Sequence, residues 1–165
     1  MSRRDYHFSS CHRSAQAVTA ILLGCRVDHV NTDAETAIPL WGMETAAFSD
    51  VLTICASGYE MERLLGRLHE AAWDRSHADR TLISNLYLER TGVAMEPAEL
   101  DEQFMVGAAS SRAIIEHGAA RSAIDLLAEA LSEAEMAGKD RLTSNEVLAV
   151  TGLGSQGQPN NERAS

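Results

Sequence analysis

The stretch that decides the fold runs from Ser9 to Gly24, S-S-C-H-R-S-A-Q-A-V-T-A-I-L-L-G. Cys11, Ala15, Val18 and Leu22 recur at steps of three and four residues, which places them on one face of an amphipathic helix. Ser9 or Ser10 can cap its start, and Gly24 ends it. On the neighbouring stripe His12 and Gln16 are four residues apart, one turn from each other, so their side chains can reach a common point. The rest of the chain reads as material to bury this helix.

Working outward, composition sets the class. A chain of 165 residues suits one domain, large enough to bury a core without staples. Hydrophobic residues make up 45% and aromatic residues only 5%, which fits a helix-rich protein better than a sandwich or barrel. The formal net charge of −10, with no cluster of Lys and Arg, argues against a general nucleic-acid binder. Arg3 and Arg4 are too few for a targeting signal, and no window has the apolar length of a membrane span, so a cytoplasmic location is expected. Cys11, Cys25 and Cys55 are odd in number and widely spaced, which points to buried or half-buried free thiols.

Residues 1–8 read as a flexible N-terminus, 9–151 as the folded domain, and 152–165, almost without apolar content, as a disordered tail. After Gly24, the alternation in Cys25 to Asn31 marks a short strand with His29 half-buried. Thr32 to Ser49 is irregular, with Pro39 breaking pairing and Trp41 anchoring a loop. Asp50 to Ala56 is either a second strand or the start of a helix. Met61, Leu64, Leu65 and Leu68 form a helical stripe. Glu96-Pro97 opens a helix with Leu100, Phe104, Met105 and Ala108 facing inwards. Gly118 interrupts it, and a further helix runs to Gly138 with Ile124, Leu127, Ala128 and Leu131 buried. Thr143-Ser-Asn-Glu146 is a capping box that opens a last short helix. The fold expected is mainly α, with five to seven helices and a small β-hairpin within about residues 26 to 56. Its core should include Val18, Leu22, Leu65, Leu86, Phe104, Leu127 and Leu131.

The first helix and the segment after it, C-H-R-S-A-Q-A-V-T-A-I-L-L-G-C-R-V-D-H-V, resemble the H-E-x-x-H helix of the FtsH-type ATP-dependent zinc proteases. Gly58 to Gly66, G-Y-E-M-E-R-L-L-G, is similar to that family's G-x-A-A-E-x-x-x-G segment, and T-S-N-E-V-L-A-V to its C-terminal helices. The resemblance covers about residues 6 to 151 and implies a helical zinc-metallopeptidase-like domain. It puts His12 on the first zinc histidine, Arg13 on the general-base glutamate, Gln16 on the second zinc histidine and Glu62 on the family's structural glutamate. The third zinc ligand, an aspartate opening the next helix, falls on Asp74, which has Ala78 four residues on, or on Asp79, which leads into Leu82, Ile83 and Leu86. No G-x-x-x-x-G-K-[ST] loop occurs, so this chain carries no ATP site.

Two of the three chemical positions of H-E-x-x-H are substituted. A guanidinium cannot act as a base and its charge opposes a nearby dication, and a glutamine oxygen is a weak ligand for zinc. His12 is therefore either a residual zinc ligand or an imidazole hydrogen-bonded in a polar pocket. Arg13 either bridges to Asp74 or Asp79 in place of the metal or lies on a solvated face. The expected function is a non-hydrolytic pseudopeptidase that binds a protein or peptide partner. The alternatives are an active zinc endopeptidase with a non-standard ligand set, drawing on His7, His69 or His77, and a purely structural helical domain, with homo-oligomerisation open in each case.

Overall fold

The computed structural model describes residues 3–33 and 38–155 of the chain. Seven α-helices run among the described residues: α1 (Arg3–Leu22), α2 (Phe48–Leu64), α3 (His69–Arg75), α4 (His77–Thr91), α5 (Pro97–Ile115), α6 (Gly118–Met136) and α7 (Ser144–Thr151). Two three-residue strands, β1 (His29–Asn31) and β2 (Arg141–Thr143), pair antiparallel with Val30 opposite Leu142. The mainly helical class holds, with a small two-stranded β element whose first strand follows α1.

The second strand lies outside the expected window of residues 26 to 56, and of the two readings of Asp50 to Ala56 the helical one holds. Asp50 to Ala56 lies inside α2, and β1 takes its partner from the far end of the chain instead. The reason is burial: Val51 to Tyr59 is covered on every side, so helix periodicity and strand alternation both vanish from that window. The N-terminus departs in a similar way, because α1 begins at Arg3 and absorbs most of the stretch read as flexible. Polar residues there propagate a helix already nucleated by the packed turns that follow. At the other end Gly152 closes α7 and Leu153–Ser155 forms a 3₁₀ turn with Leu153 packed on the core, so only 156–165 of the expected tail lies outside the described residues.

α1 is the central helix. It packs on α2 along one side and on α6 along the other, while α5 lies against the far side of α2. From Ser10 to Ala20 every residue is buried, so the amphipathic reading gives way to a helix covered all round. Such a helix is usually apolar throughout; this one buries His12, Arg13, Ser14, Gln16 and Thr19. The close α2–α5 contact needs Gly107, where a Cβ would sit 2.3 Å from the Leu52 carbonyl oxygen.

Of the expected core, Val18, Leu86, Phe104, Leu127 and Leu131 are buried. Leu22 is 40% exposed at the last turn of α1, and Leu65 is half-buried just beyond α2. Met105 is 42% exposed, because the inward line of α5 runs through Phe104, Ala108, Ser111 and Ile115, about a third of a turn away. Trp41 does anchor its loop: it is buried and its indole N–H donates to the His29 carbonyl at 2.9 Å. All three cysteines are free, Cys11 and Cys55 buried and Cys25 half-buried.

Candidate functional site

The polar side chains of α1 converge with two carboxylates from other helices. α1 supplies His12, Arg13 and Gln16, α2 supplies Glu62 near its C-terminal end, and the first turn of α4 supplies Asp79. His12 Nδ1 donates to Glu62 Oε1 at 2.8 Å and Nε2 donates to Asp79 Oδ2 at 2.9 Å, with all three side chains buried. A carboxylate only accepts hydrogen bonds, so an imidazole held between two of them donates from both nitrogens and carries a positive charge. Burial on its own would lower the His12 pKa, but the hydrogen bonds that His12 donates to Asp79 and Glu62, with the field of both, outweigh it and hold the value above the ordinary 6.5.

Glu62 is the hub. Its Oε2 accepts from Arg67 Nη1 at 2.5 Å, and its Oε1 lies 3.2 Å from Arg75 Nε, which makes three cationic neighbours around one fully buried carboxylate. Arg75 also donates to Ser9 Oγ at 2.6 Å, tying α3 to α1. Gly58 makes the arrangement possible: a Cβ there would come within 2.4 Å of the His12 ring, so only a glycine lets the imidazole lie flat against α2.

Beside this group Arg13, 2% exposed, donates to Gln16 Oε1 at 3.2 Å and to the Asp33 carbonyl at 3.3 Å. Burial lowers the Arg13 pKa, opposed by the charges of Asp79 and Asp33. Gln16 Nε2 donates to the Cys55 carbonyl at 3.3 Å, so both ends of that amide are engaged.

The candidate residues therefore separate cleanly. His12, Arg13, Gln16, Glu62 and Asp79 are gathered in one buried region, whereas Asp74 is exposed and does not belong to it. Asp74 lies on α3, before the break at Ser76 that turns the chain into α4, whereas Asp79 lies in the first turn of α4. Arg13 is buried rather than solvated, within electrostatic reach of Asp79. His7, His69 and His77 are exposed, His69 being bonded to the Tyr59 hydroxyl at 2.8 Å. Sequence reasoning missed Arg67 and Arg75 as partners of Glu62, and it aligned Gly58 with a motif glycine without showing that the missing Cβ makes room for the His12 ring.

Zinc would require neutral imidazole or carboxylate lone pairs aimed at one point. Here both His12 nitrogens point at carboxylates, the Gln16 oxygen accepts from Arg13, and the Arg13 charge lies in the same field as Asp79. As arranged, the set does not fit zinc.

Comparison with family models, with curated proteins and with solved structures finds no match.

Proposed function

We propose that this chain is a non-hydrolytic relative of the FtsH-type peptidase domain, one that works by binding a protein or peptide partner. The observation that supports this most directly is the buried Arg13 at the position the resemblance gives to the general base, next to a His12 already held by Glu62 and Asp79. Removing a positioned base costs on the order of 10² to 10⁴ in rate, and a guanidinium cannot take its place. Three free cysteines and the lack of a helix long and apolar enough to cross a membrane among the described residues accord with the cytoplasmic setting of this reading.

One observation favours a second reading, a purely structural helical domain. The outward edge of β1, where a peptide would add as a further strand, has its His29 carbonyl taken by the Trp41 indole. An array of peptides probed with purified protein separates the two: sequence-selective binding supports the partner-binding module, and a folded protein that binds none supports the structural one.

The catalytic side is tested on protein purified without a metal-affinity tag. Incubation with casein or a peptide library should give no chelator-sensitive cleavage, and such cleavage would overturn the proposal. The double variant Arg13→Glu with Gln16→His, which restores H-E-x-x-H, should bind zinc at least about tenfold more tightly than the parent, since it replaces a cation and a weak donor by a carboxylate and an imidazole.

A further inference from the structure

We infer that the junction of α1, α2 and α4 is clamped by the protein's own cations at the place where a zinc peptidase would hold its metal, so that the folded state is metal-independent. The comparison with a metal rests on the family reading above; the clamp itself rests on the distances alone.

His12 spans two carboxylates that lie 50 and 67 residues away in the chain, at 2.8 and 2.9 Å. Each end of that span belongs to a different helix, so the imidazole ties α2 and α4 to α1 in the way a bound ion would tie its ligands. The charges match the task. Two buried carboxylates, Glu62 and Asp79, face three cationic side chains, His12 and Arg67 at hydrogen-bonding distance and Arg75 as an ion pair with its Nε 3.2 Å from Glu62. A dication placed there would meet a surplus of positive charge and would have to displace His12 from both partners. Breaking a buried pair by removing one partner is costly because the other charge is left buried and uncompensated. Gly58 completes the fit, since the clamp closes only if the ring can rest against the α2 backbone.

Thermal melting of untagged protein tests the clamp. The parent should melt at the same temperature, within about 2 °C, in a strong chelator and in added zinc; a fall of several degrees in chelator would overturn the inference. The near-isosteric variants Glu62→Gln and Asp79→Asn remove charge with little change of shape. Glu62→Gln should lower the melting temperature by about 10 °C, the size expected of a broken buried pair in a chain of this length. Asp79→Asn should lower it less, because Glu62 serves more cations. Combined with His12→Gln, each should fall clearly short of the sum of the single effects; additive effects would sink the clamp. Should the charge variants fail to fold, the chelator and zinc arms on the unmodified protein still decide. A metal-independent fold that binds no peptide leaves the clamp standing and removes the partner-binding reading, so the two fail separately.

Discussion

Glu62 and Glu146 perform the same chemistry in opposite surroundings. Glu62, fully buried on α2, accepts from the His12 imidazole at 2.8 Å and from Arg67 at 2.5 Å. Glu146, with its side chain 41% exposed in the first turn of α7, accepts from the Thr143 backbone N–H at 2.7 Å and pairs with Lys139. Both carboxylates join a cation to a helix. The difference lies in what replaces a lost partner: water can solvate the groups around Glu146, whereas Glu62 and His12 are enclosed and Arg67 and Arg75 are only 17% and 14% exposed. Exposed ion pairs are therefore worth little, while a buried network makes every member depend on the others. The same sequence pattern, a carboxylate near a basic side chain, thus gives no measure of its weight until burial is known.

The largest effect should come from a change that touches no charge. In Gly58→Ala the new methyl would sit 2.4 Å from the His12 ring, which is locked at both nitrogens and cannot swing aside without losing Glu62 or Asp79. Overpacking alone costs about 1–3 kcal/mol, and disrupting a buried pair about 3–5 kcal/mol. Urea denaturation should show a loss of at least about 3 kcal/mol for this variant, the lower limit for the broken pair. A loss below about 1 kcal/mol, less than overpacking usually costs, would mean that the ring has room to move and that the buried region behaves like the exposed one.

A smaller, pH-dependent effect sharpens the contrast. His12 has a folded pKa raised above its unfolded value, despite the lowering effect of burial, because Asp79 and Glu62 bind its charged form. Its contribution is thus fully present below the unfolded pKa and is lost as pH rises through the raised folded value. The stability difference between the parent and His12→Gln, followed by denaturation from about pH 5 to pH 10, a span chosen around the ordinary histidine range, should be flat on the acid side and shrink on the alkaline side. A difference that instead shrinks towards acid would contradict a cationic His12.

The sequence revealed much of the fold where one face of a helix stays wet. α6 shows this best, with Ile124, Leu127, Ala128 and Leu131 buried at helical spacing as expected. It revealed less where wet faces disappear. α1 and the middle of α2 are enclosed, so amphipathic periodicity described α1 wrongly and left Asp50 to Ala56 undecided. β1–β2 pairing was out of reach for another reason: two three-residue strands more than a hundred residues apart carry too few side chains to announce each other. For the candidate site, the i, i+4 spacing of His12 and Gln16 suggested a common target, but His12 bonds to Glu62 and Asp79 while Gln16 bonds to Arg13 and the Cys55 carbonyl; Asp79 was one of two aspartates named. In the structure the two aspartates fall on different helices, Asp74 on α3 and Asp79 on α4 beyond the break at Ser76, and that break could not be placed from the residues around it.

The smallest expected effect lies at the exposed end of the comparison. The Lys139 ammonium, then the Thr143 backbone N–H, bring the Glu146 pKa down to about 2. A depressed carboxylate stabilises the fold above its unfolded pKa, near 4.3 for glutamate, and that contribution disappears as pH falls through the folded value of about 2. Glu146→Gln should therefore differ from the parent at neutral pH and converge with it near pH 2, the opposite limb from His12. Added salt should narrow the neutral-pH gap, because the Lys139 pair is open to solvent. The uncharged half of the capping box gives an internal control: Thr143 accepts from the Glu146 backbone N–H at 3.3 Å, and Thr143→Ala should cost about 1 kcal/mol with little dependence on salt or pH. If salt erased the Thr143→Ala effect as well, the end of α7 would be held by charge rather than by its cap, and the weak, screened character assigned to this region would belong to the whole helix start instead of to one ion pair.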